Sequence, residues 1–410
     1  MQESKGGSAK QVSQSYAWVV LVVIYFASIV AAATQFKVTT LSSWLIPEFN
    51  MDLATFGWLM SSLTIVGVVL AFPAAWINDK IGVKATIIVS CVCLAVGDVI
   101  GAVTSSTAIL LTSRAIEGCG IGLLGVIAPT AISVWFPEEK RALPLAIWCT
   151  WFPVGTVIML LAAPALAGAF GWRSVWWVCF VAALLAIVLM AIFYHERQQA
   201  ESEVQEPEQK SGTIREGFKY LKNKELWLLC VSFFCFSAVC NGVFMSYYPT
   251  FMEQMMGFTP AEGGFATSVM AIIGIILMPF LGMVYDRTGK RKIFVIISFA
   301  ACLVGFAVGF QSWSVALVWT CIIIFGAAGS FIGSGMRPMC PEVIEKRTSS
   351  ALGIAMGMGV MQIASNLGPT VVTPAFGAIV ESSSWVAASY FLCIPLGILA
   401  IVCLAFVKVK

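Results

Sequence analysis

Residues Asn78-Asp79-Lys80-Ile81-Gly82-Val83-Lys84 interrupt a long apolar stretch, and the pattern returns at Tyr285-Asp286-Arg287-Thr288-Gly289-Lys290-Arg291-Lys292, with the second aspartate 207 residues after the first. A proline inside an apolar run precedes each copy, at Pro73 and Pro279, 206 residues apart. A Pro-Glu pair with a Lys-Arg pair behind it follows each copy. These are Pro137-Glu138-Glu139-Lys140-Arg141 and Pro341-Glu342-Val343-Ile344-Glu345-Lys346-Arg347, offset by 204. Three pairs of features at nearly one offset mark an internal duplication. In so apolar a chain, duplication points to two related halves with a transport site where they meet.

Composition sets the solvent. Of 410 residues, 59% are hydrophobic and 11% charged, with a mean hydropathy of +0.91. A soluble domain carries about 25% charged residues, so the bilayer is the main solvent here. The net charge of +3 says little by itself. Most of the thirteen Cys lie in apolar runs and read as small hydrophobes, with no metal-ligand spacing and no disulfide framework. The polar first sixteen residues lead into an apolar run without a small-residue cleavage site, which suits an uncleaved signal-anchor.

A spanning helix needs about 20 apolar residues. Twelve such runs are expected, at 17–44, 53–77, 84–105, 107–135, 142–169, 172–194, 226–250, 263–284, 291–310, 313–337, 349–379 and 385–408. With both termini in the cytoplasm, 21 of the 24 Lys and Arg fall on the cytoplasmic side, Arg337 being counted with the loop after the tenth run. The opposite orientation reverses the positive-inside pattern. Residues 196–211 are polar and acidic and read as a linker. Ile214, Phe218 and Leu221 recur at helical spacing beside Lys219, Lys222 and Lys224, a short amphipathic helix on the inner leaflet. The expected organisation is a six-helix bundle over 1–195, a linker over 196–225 and a second bundle over 226–410.

These features resemble the major facilitator superfamily. The Asp79 loop and its copy at Asp286 look like that family's loop signature between the second and third helices, repeated between the eighth and ninth. Arg114, Gly118, Gly120 and Gly122 are similar to its fourth-helix motif, and Gly171-Trp172-Arg173 to its element between helices five and six. The resemblance covers essentially the whole chain. It implies an all-α membrane protein of twelve transmembrane helices, in two six-helix bundles related by a pseudo-two-fold axis. It also implies alternating access at the cytoplasmic (inner) membrane and a monomer, with no enzyme activity, nucleic acid or cofactor. The Trp151-Phe152-Pro153-Val154-Gly155 segment matches the drug antiporters' fifth-helix motif poorly. The first run, with Trp18-Val19-Val20-Leu21 and Gln35, is closer to small-anion and organic-acid branches.

The resemblance makes Asp79 and Asp286 gating residues, with Gly82, Gly289, Lys80, Lys84, Arg287 and Arg291 around them. A helix terminus neutralised in one state only would act as a latch. The bland account is a pair of polar turns obeying positive-inside bias. Gly118 and Gly122, and again Gly329 and Gly333, are spaced for close helix packing in lipid.

Intramembrane charge is the sharper signal, because each such residue costs about 2.5–3.5 kcal/mol at a helix centre. Lys37, Asp98, Arg114 and Glu117 stand out, all in the first half. Thr34, Lys37 and Thr40 share one face at spacing three, a polar stripe able to line a cavity. Thr34, Gln35, Lys37, Arg114, Asn241, Tyr248 and Asn366 are therefore the expected substrate-binding residues, and Asp98 and Glu117 the proton carriers. Competing structural accounts are that Lys37 snorkels, that Arg114 and Glu117 neutralise each other, or that Asp98 pairs with Arg114. Asn241, Met245 and Tyr248 fall on one helical face, as do Gln362 and Asn366, and Trp148 and Trp151.

The expected function is secondary transport of a small organic anion, as a proton symporter or an anion exchanger. Export of drugs or hydrophobic cations is the alternative, and a transporter-like receptor ranks lower. On this reading Lys37→Ala abolishes anion uptake and leaves the fold intact.

Overall fold

The computed structural model describes residues 14–137, 140–195, 223–311, 314–345 and 351–408. These contain twelve helices long and apolar enough to cross a membrane. They are α1 (Tyr16–Phe36), α2 (Leu53–Leu70), α3 (Lys80–Val103), α4 (Thr107–Trp135), α5 (Leu143–Phe170), α6 (Arg173–Phe193), α7 (Lys224–Met256), α8 (Pro260–Leu277), α9 (Arg291–Gly309), α10 (Val315–Ile344), α11 (Met356–Ser382) and α12 (Trp385–Phe406). Each coincides with one expected run, and the twelve form the two six-helix bundles. The linker and its amphipathic segment (Ile214, Phe218, Leu221) lie outside the described residues.

Two boundaries and one internal segment depart from the sequence reading. The first helix ends at Phe36, so Lys37 and Thr40 stand in the turn that follows it, where Thr39 N–H donates to Phe36 O (3.1 Å) and Leu41 N–H to Val38 O (3.0 Å). The tenth helix runs on to Glu345 instead of stopping at residue 337, so Arg337 belongs to a membrane span. The seventh helix contains a π-helical segment, Ala238–Phe244.

The duplicated turn does one structural job twice. Gly82 (φ +82°) and Gly289 (φ +63°) both adopt the left-handed region, which only glycine enters without strain. Just beyond, Lys84 Nζ donates to Ala191 O (2.8 Å) at the end of α6, and Lys292 Nζ donates to Ala405 O (2.9 Å) and Val407 O (2.6 Å) at the end of α12. A cation on the last carbonyls of a helix satisfies orphan acceptors and opposes the dipole. Each half thus ties its sixth helix to its third. Lys80 lies over the Trp76 ring at 4.0 Å, and Arg291 pairs with Glu342 of the second Pro-Glu copy. The side chains of Asp79 and Asp286 lie outside the described residues.

The halves meet along one end of the bundle, the end that the positive-inside pattern puts outside. Leu53 is the focus. Its N–H donates to Glu381 (2.6 Å) and its carbonyl accepts from Tyr247 Oη (2.7 Å), both from the other half. Glycines permit the approach, since a Cβ on Gly377 would stand 2.5 Å from Leu53 O and one on Gly57 2.8 Å from Pro374 Cα. Two turns inward the seam continues with Ser61 Oγ donating to Pro369 O (3.3 Å) and with the Thr64 and Thr370 hydroxyls 2.8 Å apart. Opposite, Gly264 brings α8 against the Leu160 carbonyl of α5.

Candidate functional site

The four intramembrane charges of the first half converge. Lys37 Nζ donates to Asp98 Oδ1 (2.5 Å) and Glu117 Oε1 (2.6 Å), and Arg114 Nη1 donates to Glu117 Oε2. All four side chains are fully buried. Arg114 also donates to the carbonyls of Thr34 (2.8 Å), Gln35 (2.8 Å) and Leu59 (3.2 Å), so it ties α4 to the end of α1 and to α2. Lys37 lies over the ring of Trp176 on α6, 4.6 Å from its centroid, a cation–π contact. Glycines on α3 make the room, since a Cβ at Gly97 would stand 2.5 Å from Glu117 Cγ and one at Gly101 2.2 Å from Trp176 Nε1.

Two cations and two carboxylates make this cluster neutral. Burying one unpaired charge costs several kcal/mol, and a matched set avoids most of that cost. Of the three structural accounts above, one holds: Arg114 and Glu117 do pair, whereas Lys37 does not snorkel, and Asp98 pairs with Lys37 and not with Arg114. The Thr34–Lys37–Thr40 stripe is wholly buried. Gln35 is half-buried, and its carbonyl is taken by Arg114.

In the second half the expected residues part company. Asn241 is half-buried, and its Nδ2 donates to Ser237 Oγ (3.1 Å). Tyr248 is buried among Phe244, Phe251 and Phe310, with its hydroxyl 3.5 Å from Gly309 O. The π segment widens the turn, so i, i+4, i+7 spacing fails across it. Tyr247, which the reading passed over, reaches across to the Leu53 carbonyl of the other half.

Below the Thr64–Thr370 contact the seam gives way to a set of accessible side chains, here called the cleft. Asn366, whose carbonyl accepts from Thr370 Oγ1 (2.9 Å), is half-buried there, and one turn further Gln362 is exposed, its Nε2 3.3 Å from Asn366 Oδ1. Arg337 of α10 reaches the same place, with Nη2 3.4 Å from Gln362 Oε1 and its guanidinium 6.0 Å from the Phe233 ring. It is exposed, and among the described residues no carboxylate pairs with it. Across the cleft, exposed Cys149 of α5 is close enough to Arg337 for electrostatic interaction. Above Arg337 on the same face, Gly333 has no neighbour within 4 Å and Gly329 only Phe236 at 4.0 Å. This corrects the packing role expected of that pair. Gly118 and Gly122 do pack, against Leu63 and Gly67 of α2, whereas on α10 Gly326 and Gly335 make the close contacts.

Twelve spans in two bundles, a twice-used basic turn and an end-sealed seam define a membrane transporter fold. The family model of the Major Facilitator Superfamily matches residues 24–357, and the chain belongs to that family. It is 25% identical over 333 residues to a nitrite extrusion protein of Bacillus subtilis, covering 79% of this chain and 80% of that one. It is 27% identical over 365 residues to the lysosomal dipeptide transporter MFSD1 of Mus musculus, covering 83% and 75%. A crystal structure of a D-xylose–proton symporter shares the fold with a TM-score of 0.79 at 13% identity, over 95% of this chain and 97% of that one.

Proposed function

We propose that the protein moves a small organic anion across the cytoplasmic membrane by alternating access, as a proton symporter or anion exchanger, with both termini in the cytoplasm. The observation that carries this reading is the neutral buried cluster beside a seam closed at one end. Arg114 of the cluster holds the Leu59 carbonyl on α2, and two residues later Ser61 of α2 meets Pro369 of the other half. Protonating Asp98 or Glu117 leaves a buried positive charge, and that cost is relieved when the helices around the cluster rearrange. Asp98 Oδ2 accepts no hydrogen bond among the described residues, which leaves an oxygen for the proton. Asp79 and Asp286 serve as cytoplasmic latches in the state sealed at that end.

The substrate class is supported by relatives whose named substrates, nitrite and dipeptides, both present a planar pair of oxygens with negative charge. Efflux of hydrophobic cations asks for an unpaired carboxylate on the cleft, whereas Asp98 and Glu117 are buried against cations. Proteoliposomes test the reading. Labelled succinate and nitrite are expected to enter, driven either by an imposed pH gradient or by anion inside. Transport of a cationic dye with no movement of any anion rejects it.

A further inference from the structure

We propose that Arg337, with Gln362 and Asn366, forms the docking site for the carboxylate head of the substrate, on the C-terminal wall of the cleft. This rests on the anion-transport reading and adds the residues that hold the anion. Lys37 and Arg114 are spent on Asp98, Glu117 and helix carbonyls. Each is fully buried, so neither can meet a solute without dismantling the cluster. Arg337 is the opposite case. Among the described residues its partners are one long hydrogen bond to a neutral amide and a distant ring, which leaves most of its five donors free.

Position supports the assignment. Arg337 stands eight residues before the end of its helix at Glu345, about 12 Å deep at 1.5 Å per residue. A cation at that depth faces a water-filled path or a ligand, because hydrocarbon does not tolerate it. Gln362 and Asn366 lie on successive turns leading up to the Thr64–Thr370 seal, so a bound anion sits directly beneath the closed end. The glycine face at Gly329 and Gly333 leaves space for the body of the ligand above the guanidinium. A planar two-oxygen anion matches the guanidinium fork in bidentate geometry, and the amides of Gln362 and Asn366 supply further donors. Occupancy also places the ligand near the other half, because exposed Cys149 of α5 lies within electrostatic range of Arg337.

Thermal unfolding of the purified full-length protein is the test, with succinate, acetate, nitrite, glycylglycine and the neutral control uridine as probes. Wild type, Arg337→Lys, Arg337→Gln and Gln362→Ala are compared. The anionic and carboxylate-bearing probes are expected to raise the wild-type Tm. Arg337→Gln is expected to need about ten-fold or more ligand for the same shift, and Arg337→Lys less than that, since a point charge replaces a fork. If wild type and Arg337→Gln respond alike, anion transport stands and the site falls. If no probe stabilises wild type, the functional reading falls and the site with it. A second measurement needs no folded Arg337 variant: succinate slows reaction of Cys149 with sulfonatoethyl methanethiosulfonate, with Cys149→Ser as background. Unchanged labelling at a concentration that shifts Tm overturns the placement.

Discussion

The two halves share a fold and a repeated turn, yet they handle charge in opposite ways. The N-terminal half packs Lys37, Asp98, Arg114 and Glu117 into a sealed, neutral cluster. The C-terminal half places one cation, Arg337, on the open face of the cleft with amides for company. A duplicated scaffold thus separates two tasks: charge locked in the interior can hold or release a proton and move helices, whereas charge left facing water can meet a solute. The contrast also shows what a count of intramembrane charges misses: the conspicuous residues are the ones already satisfied, and the proposed docking cation is the less conspicuous one on the other wall.

The largest expected effect breaks the first side of this comparison. Lys37→Met leaves two buried carboxylates facing one arginine, and removing one partner of a buried pair costs about 3–5 kcal/mol. The variant is expected to unfold at a markedly lower temperature, in place of the intact fold expected from sequence alone. Lys37→Met combined with Asp98→Asn restores neutrality and is expected to recover much of the loss. If the single variant is as stable as wild type, the cluster is not a matched set.

The seam between the halves gives the next largest effect. A methyl group on Gly57 collides with Pro374 and Tyr247 of the other half. Overpacking of this kind costs about 1–3 kcal/mol, and here only the state closed at this end pays it. Gly57→Ala is therefore expected to shift the population toward the state open at the Leu53 end. Spin labels at exposed Ser106 and Ser383, one in each half, report this as a longer distance. An unchanged distance distribution removes the seam as a gate.

A smaller effect comes from the cap that presents Leu53 to that seam. Asp52 Oδ1 accepts from Thr55 N–H (2.7 Å), and bonds from the Thr55 hydroxyl and amide hold the Asp52 carboxyl below the usual carboxylate range. Asp52→Ala is expected to cost about 1 kcal/mol and Asp52→Asn much less, because Asn also caps. A depressed folded-state value means the charged cap stabilises above the carboxylate's unfolded value and fades as pH falls through the folded one. The gap between wild type and Asp52→Ala in thermal unfolding should thus narrow in acid and stay constant near neutrality.

Much of this was legible in the sequence, for physical reasons. Twelve apolar runs and a repeated turn follow from length and period, and the membrane enforces helices wherever it is crossed. The members of the charge cluster were legible because such residues are conspicuous in hydrocarbon. Of their pairing only Arg114 with Glu117, three residues apart on one helix, was legible; that of Lys37 was not, since hydropathy carries no information on which way each helix faces. Tyr247 was hidden by the π segment at Ala238–Phe244, which breaks the helical spacing that pointed to Tyr248. Arg337 was hidden by Pro338 and Pro341, which read as stop signals but lie inside a helix that continues to Glu345. The available signal was the glycine face at Gly329 and Gly333, continued four residues on by an arginine.

The smallest expected effect on stability sharpens the comparison most. Arg337 carries a charge of the same sign as Lys37 and lies in a span of the same membrane. It is exposed, its one hydrogen bond in the described residues is long, and no buried carboxylate depends on it. Removing its charge strands nothing, and substitutions away from buried partners usually stay within about 0.5 kcal/mol. Arg337→Gln is therefore expected to unfold within that margin of wild type without ligand, where Lys37→Met loses several times as much. Equal losses in the two variants mean that Arg337 has a structural partner and that the halves do not divide the work as argued. A negligible loss joined to lost anion response means that the C-terminal half keeps its cation for the solute.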